Sequence, residues 1–260
     1  MKLQLRDIKL SYNSSHDEKL RLLRGVDLDV ADGKVTALVG GNGTGKTTLF
    51  NIISGFEKEY TGNVLLDGRS IKRLSPSRIA QMGVGRLFQG GQLISGLTLI
   101  DNMKLASSDT TGEIPFSTLF HPRKLEQSEQ KKEEKAREVL SRLFGGENEY
   151  MDMLDKEASE FSYGQQRLLS LASLMMGDKK LLLLDEPTSG VNPIYIELIE
   201  ILINQLRSEG ITILLIEHNM PFVGEIADTC AYLADGTISI VGPTAEVLNN
   251  ETVRKSYLGQ

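Results

Sequence analysis

Polar and apolar residues change rhythm twice along this chain. Up to about residue 90, short apolar runs are cut by tight turns. Met1-Lys2-Leu3-Gln4-Leu5-Arg6 alternates with period two, as a half-buried strand does. Val35-Thr36-Ala37-Leu38-Val39 is nearly all apolar and predicts a strand covered on both faces. Asp32-Gly33 separates Val26–Val30 from Val35–Val39, and Asp67-Gly68 follows Asn63–Leu66. Asp-Gly between strand-like runs predicts hairpins. The polar stretch Asn13 to Leu20 reads as a loop. From about Leu93 to Glu160 the strand signal fades. Ala136, Val139, Leu140 and Leu143 recur at helical spacing, Glu133 and Arg137 stand four apart, and Gly145-Gly146 closes the run. The charges of Glu126 to Leu143 read as the solvated face of that helix. Beyond residue 160, strand and helix alternate again. Leu168 to Met176 predicts an apolar helix. Asn192-Pro193 predicts the cap of another, turning Ile194, Leu198, Ile199 and Leu202 inward and ending at Gly210. Ile211 to Ile216 reads as a buried strand, and Asp235-Gly236 joins Ala231–Ala234 to Thr237–Val241.

This order predicts an α/β fold with a core at 1–90 and 161–260 and a helical insertion at 91–160. A length of 260 residues suits one large α/β domain carrying such a lobe. Composition narrows the partners. The net charge is −6 with no basic stripe, which disfavours nucleic acid. Cys230 is the single cysteine, excludes an internal disulfide, and reads as a small buried hydrophobe. Leu168 to Met176 is about half of the roughly 20 residues a membrane helix needs. The first residues lack the apolar centre of a signal peptide. Any membrane role is expected to come through a separate subunit.

Two segments carry candidate chemistry. Gly40-Gly41-Asn42-Gly43-Thr44-Gly45-Lys46-Thr47 fits the phosphate-loop template G-x-x-x-x-G-K-[ST], between a predicted strand and a helix opened by Thr48-Leu49-Phe50. Glycines let successive N–H groups turn toward phosphates, Lys46 can reach the β- and γ-phosphates, and the Thr47 hydroxyl can sit on Mg²⁺. Leu181-Leu182-Leu183-Leu184 ends in Asp185-Glu186. That run fits a buried strand or a buried helix, and Pro187 favours a strand end. Ligands bind at the carboxyl ends of parallel strands. Asp185 there can hold Mg²⁺, and Glu186 can orient or deprotonate a water. Ser162-Tyr163-Gly164-Gln165 opens the helix of Leu168–Met176 and reads either as an ordinary cap or as a second anion site. Taken alone, Tyr12 is an edge-strand aromatic, Gln89 a polar loop residue and His218 a core histidine.

Taken together, and in this order, these segments resemble the nucleotide-binding subunits of ATP-binding-cassette (ABC) transporters over almost the whole length. Gly40–Thr47 matches Walker A, Gln89 the Q-loop, Phe161–Gln165 the signature, Leu181–Glu186 Walker B, Ser189–Pro193 the D-loop and His218 the switch histidine. The resemblance implies a P-loop NTPase (RecA-like) core with an antiparallel β subdomain and an inserted helical subdomain. It implies ATP and Mg²⁺ as ligands, with Tyr12 stacking on adenine, Gly40 to Thr48 binding the phosphates, and Thr47, Gln89 and Asp185 at the metal. Glu186 and His218 become catalytic. Ser162, Tyr163, Gly164 and Gln165 serve the ATP of a second subunit, in a homodimer or a paralogous heterodimer.

The same resemblance implies membrane permease partners, no nucleic acid, no direct contact with the solute, and a place on the cytoplasmic face of the membrane. Gly90 to Leu99 is the candidate permease contact. Phe161 and Tyr163 depart from the usual L-S-G-G-Q, and Asn192 replaces the D-loop aspartate. Tyr163-Gly164-Gln165-Gln166-Arg167, Ile216–Met220, the ending Val241–Thr244 and Tyr257–Gly259, and the Ser107–Pro122 loop are similar to ATPases of branched-chain amino-acid importers. A lipid or lipopolysaccharide exporter ATPase, a non-transport cassette ATPase and a nucleotide-regulated binding module stay as alternatives.

Overall fold

The computed structural model of the chain describes residues 1–13, 19–90, 93–108, 122–145 and 150–258. Ten strands are described: β1 (Leu3–Asn13), β2 (Lys19–Val30), β3 (Val35–Val39), β4 (Thr61–Leu66), β5 (Arg69–Ser70), β6 (Val84–Leu87), β7 (Leu181–Asp185), β8 (Thr212–Ile216), β9 (Thr229–Ala234) and β10 (Thr237–Pro243). They form an antiparallel sheet in the order β2-β1-β4-β5 and a six-stranded sheet in the order β10-β9-β3-β8-β7-β6. In the second sheet β3 runs parallel to β8 and β9, and β7 parallel to β8. All five residues of β3, β7 and β8 are buried, as continuous apolar runs demand.

By contact density the chain divides into two compact units. One is Met1–Arg86 with Lys180–Glu186 and Ile203–Gln260; the other is Leu87–Lys179 with Pro187–Leu202. One apolar cluster joins the two sheets within the first. Leu3, Leu5, Val26 and Val30 come from the antiparallel sheet, Leu38, Leu183, Leu214 and Ile216 from the six-stranded one. Leu49, Phe50 and Ile53 of helix Lys46–Ile53 complete it. The expected Asp67-Gly68 and Asp235-Gly236 hairpins form, joining β4 to β5 and β9 to β10. Both aspartates take positive φ, 47° and 50°, as tight hairpin turns require.

Asp32-Gly33 makes no hairpin. β2 pairs with β1, while β3 joins the other sheet. The physical reason is coverage. β2 buries alternate residues, Val26, Leu28 and Val30, as a sheet covered on one face does, whereas β3 is buried at all five positions and pairs between β8 and β9 inside the six-stranded sheet.

The second unit is built on helices Leu99–Leu105, Pro122–Phe144 and Tyr163–Ser173 and the first part of Pro193–Ser208. The predicted stripe Ala136, Val139, Leu140, Leu143 is buried, and Arg137 donates to Glu133 at 2.7 Å. Ile194 departs from its expected inward position and is 67% exposed. The buried stripe of that helix is Ile199, Leu202, Ile203 and Leu206, and a residue five positions before Ile199 falls on the far side. Most of the Ser107–Pro122 loop lies outside the described residues. Among the described residues no helix is long and apolar enough to cross a membrane. Cys230 is buried, which pushes its thiol up to about 12.

Candidate active site

The parallel register places the two key segments at one end of the sheet. Leu38 of β3 and Asp185 of β7 both pair with Ile216 of β8. Their carboxyl ends therefore lie side by side, two strand spacings or about 10 Å apart. Gly40–Gly45 follows β3, and Asp185-Glu186 closes β7.

The loop bends where glycine is required. Gly40 has a φ of 156°, and a Cβ there would sit 2.3 Å from the Leu233 carbonyl oxygen. Asn42 and Gly43 are exposed at its tip, and the Thr44 hydroxyl donates to the Gly41 carbonyl at 3.0 Å. Gly45, at a φ of 102°, starts helix Lys46–Ile53, which no side-chain oxygen caps. Lys46 curls back over the loop, donating to the carbonyls of Gly40 at 2.7 Å and Gly41 at 2.8 Å. Burial lowers its pKa from the ordinary lysine value, while the carboxylates of Glu186 and Asp185 act in the opposite direction. Thr47 is exposed and Thr48 partly so.

At the other end, Asp185 is fully buried, and Arg86 Nη2 stands 3.6 Å from its Oδ2. Glu186 takes a φ of 49°, the left-handed region that costs a side-chain-bearing residue free energy. Its N–H donates to the Ile216 carbonyl at 2.9 Å, and its Oε1 lies 3.3 Å from His218 Nε2. Buried Glu217 shapes the turn carrying His218, its Oε1 accepting the N–H groups of His218 at 2.8 Å and Asn219 at 3.2 Å. Backbone strain persists where the surroundings over-determine it, commonly at functional positions.

One unit thus gathers Gly40–Thr48, Asp185, Glu186 and His218. Gln89 and Ser162–Gln165 belong to the other. There, Ser162 and Gln165 form a capping box: Gln165 Oε1 accepts the Ser162 N–H at 2.9 Å, and Ser162 Oγ accepts the Gln165 N–H at 3.4 Å. This is the ordinary-cap reading, and it leaves anion binding open. Gly164 is needed for packing, since a Cβ would meet the Tyr195 ring at 2.7 Å. Tyr163, half exposed, lies beside Gly190 of the D-loop segment. Gln89 is exposed in a turn after β6. Tyr12 pairs with Leu20 through the backbone, and its side chain lies outside what the structure describes. Gly90 is exposed, and Gly91 and Gln92 of the candidate contact surface are outside the described residues.

Comparison with known proteins decides the family. The ABC transporter family model matches residues 23–189. The chain belongs to the ABC transporter family. It is 35% identical to the high-affinity branched-chain amino acid transport ATP-binding protein BraF of Pseudomonas aeruginosa, with 93% of each chain covered. It is 33% identical to the corresponding LivG of Escherichia coli, again over 93% of each. Among solved structures, a nucleotide-free ATP-binding cassette from an ABC transporter superposes with a TM-score of 0.81 at 29% identity, covering all of both chains. A cassette crystallised in its ADP conformation gives 0.80 at 30% identity, also over all of both. The fold is that of the ABC ATPases, and the chain is an ATP-binding and ATP-hydrolysing cassette of this family.

Three residues of this ABC cassette escaped sequence reasoning. Arg86 interrupts an otherwise apolar strand, a signal that could have marked it. Glu217 follows the apolar run Ile211–Ile216, and nothing local marks its carboxylate as buried. Arg167 is 2% exposed, its guanidinium reaching the carbonyls of Phe88 at 2.7 Å and Pro187 at 3.4 Å. The Tyr163–Arg167 run drew attention to it only as part of a resemblance, and nothing local marks its burial.

Proposed function

We propose that this cassette energises import of branched-chain amino acids. The observation that carries this is its 33–35% identity, over 93% of its length, to ATP-binding proteins of branched-chain amino acid transport. Gly40 to Thr48 would bind the triphosphate, with Lys46 leaving the Gly40 and Gly41 carbonyls for the phosphate oxygens, and Tyr12 would stack on adenine. The Thr47 hydroxyl and the Asp185 carboxylate are hard oxygen donors, which fits Mg²⁺. With Gln89 they would hold that ion, which neutralises phosphate charge when bound. Glu186 orients the attacking water and accepts its proton. His218, 3.3 Å from Glu186, contacts the γ-phosphate side of the site.

A second cassette, identical or paralogous, packs head to tail and offers Ser162, Tyr163, Gly164 and Gln165 to the γ-phosphate. Separation of the pair after hydrolysis is passed through the helical lobe at 91–160 to membrane permease subunits on the cytoplasmic face. The solute never touches this chain. The test is recovery of the native complex and reconstitution of its membrane components in vesicles. ATP turnover stimulated by leucine, isoleucine or valine with the copurifying binding protein supports the proposal. Stimulation by lipid or lipopolysaccharide, with no response to those amino acids, refutes it.

A further inference from the structure

Arg86 occupies a seat with four walls. Its Nη1 donates to Ser54 Oγ at 2.7 Å, and that hydroxyl donates onward to the Phe50 carbonyl at 2.5 Å. The guanidinium carbon lies 5.8 Å from the centre of the Phe50 ring and 5.9 Å from that of Phe56, within cation–π range of both. On its remaining side Nη2 faces Asp185 Oδ2 at 3.6 Å, with 6% of the arginine side chain and 1% of the aspartate side chain exposed.

Phe50 lies on helix Lys46–Ile53 and Ser54 follows it directly, so the helix that begins at Lys46 also carries the arginine's seat. A buried carboxylate is costly without a facing positive charge. A planar guanidinium suits a seat made of rings and a hydroxyl, which a lysine ammonium does not fill.

We propose that Arg86 is a positioning residue for the nucleotide site. It is a counter-charge, alongside Lys46, that helps hold Asp185 in place while no divalent cation is bound, and it ties that carboxylate to the phosphate-loop helix. The inference rests on the reading of Asp185 as the carboxylate that receives Mg²⁺, but its first test does not.

That test compares the melting temperatures of wild type, Arg86→Met, Asp185→Asn and the double variant in the absence of nucleotide. Arg86→Met is expected to melt roughly 5–10 °C lower, because it takes away a positive charge that faces a fully buried carboxylate. The double variant is expected to recover most of that loss, since the carboxylate that Arg86 faced is then neutral. A loss that persists in the double variant means that Arg86 only fills space, and overturns the proposal. So does an Arg86→Met protein that melts with the wild type. If Arg86→Met does not fold, Arg86→Lys alone and with Asp185→Asn completes the same cycle, with a smaller drop and the same recovery.

The second test repeats the melts with saturating Mg²⁺·ADP. The nucleotide should raise the melting temperature of Arg86→Met several degrees more than that of wild type, because the cation restores the missing charge. Equal shifts overturn the counter-charge role at the nucleotide site. No shift in the wild type at all would instead contradict the nucleotide reading of the site, and the ligand-free cycle would still decide the Arg86–Asp185 link.

Discussion

Glu186 offers a comparison of two variants that should differ in stability while losing turnover alike. Its φ of 49° lies in the left-handed region, where a side-chain-bearing residue is strained by roughly 1–2 kcal/mol. Glu186→Gly removes that strain, and Glu186→Gln keeps it. Both variants lose the carboxylate and its approach to His218, so those losses cancel in the comparison. Glycine also gives the unfolded chain more freedom, which offsets about 0.5–1 kcal/mol. The glycine variant should therefore be more stable than the glutamine variant by about 0.5–1 kcal/mol, or roughly 1–4 °C in melting temperature. Calorimetry on the two variants side by side reads this difference. Turnover, followed by phosphate release, should fall in both by a factor of about 10²–10⁴, the usual contribution of a general base. A glutamine variant as stable as the glycine variant would remove strain from the explanation. Wild-type turnover in Glu186→Gln would remove Glu186 from the chemistry.

Three further outcomes are expected. Lys46→Ala should abolish detectable binding of a fluorescent ATP analogue; retained tight binding would contradict the phosphate-loop assignment. Gly40→Ala should destabilise the fold by roughly 2–4 kcal/mol, because its Cβ would press to 2.3 Å from the Leu233 carbonyl while its φ stays positive, and a melt equal to wild type would refute that crowding. Ser162→Arg should lose the helix cap at a cost of about 1 kcal/mol and cut turnover at least tenfold, while ATP binding to the isolated subunit stays unchanged. A large loss of that affinity would place Ser162 in the subunit's own site.

Most of the scaffold was legible because its signals were local. Continuous apolar runs marked β3 and β8, Pro187 tipped the leucine run toward strand β7, Asp-Gly pairs marked two hairpins, and helical spacing marked Ala136 to Leu143. The Asp32-Gly33 turn misled because a turn dipeptide does not say whether its flanking strands share a sheet. That depends on which faces distant strands cover. Ile194 misled because the helix stripe was phased from its first apolar residue, whereas burial phases it from Ile199. The loop and the paired acids were readable from residue type and order. The left-handed backbone of Glu186, the turn built on Glu217 and the seat of Arg86 were not, since each arises from elements far apart in the chain.

The central claim is that the Gly40–Thr47 loop and the Asp185-Glu186 pair serve one metal-bound triphosphate. Crystals of the Glu186→Gln variant, grown with ATP and Mn²⁺ in place of Mg²⁺, test it through the anomalous signal of the metal. The account predicts a single strong peak within about 2.2 Å of Thr47 Oγ, on the side facing Asp185, beside density for three phosphates along the loop. Nucleotide bound elsewhere, or a metal peak remote from both segments, would contradict it.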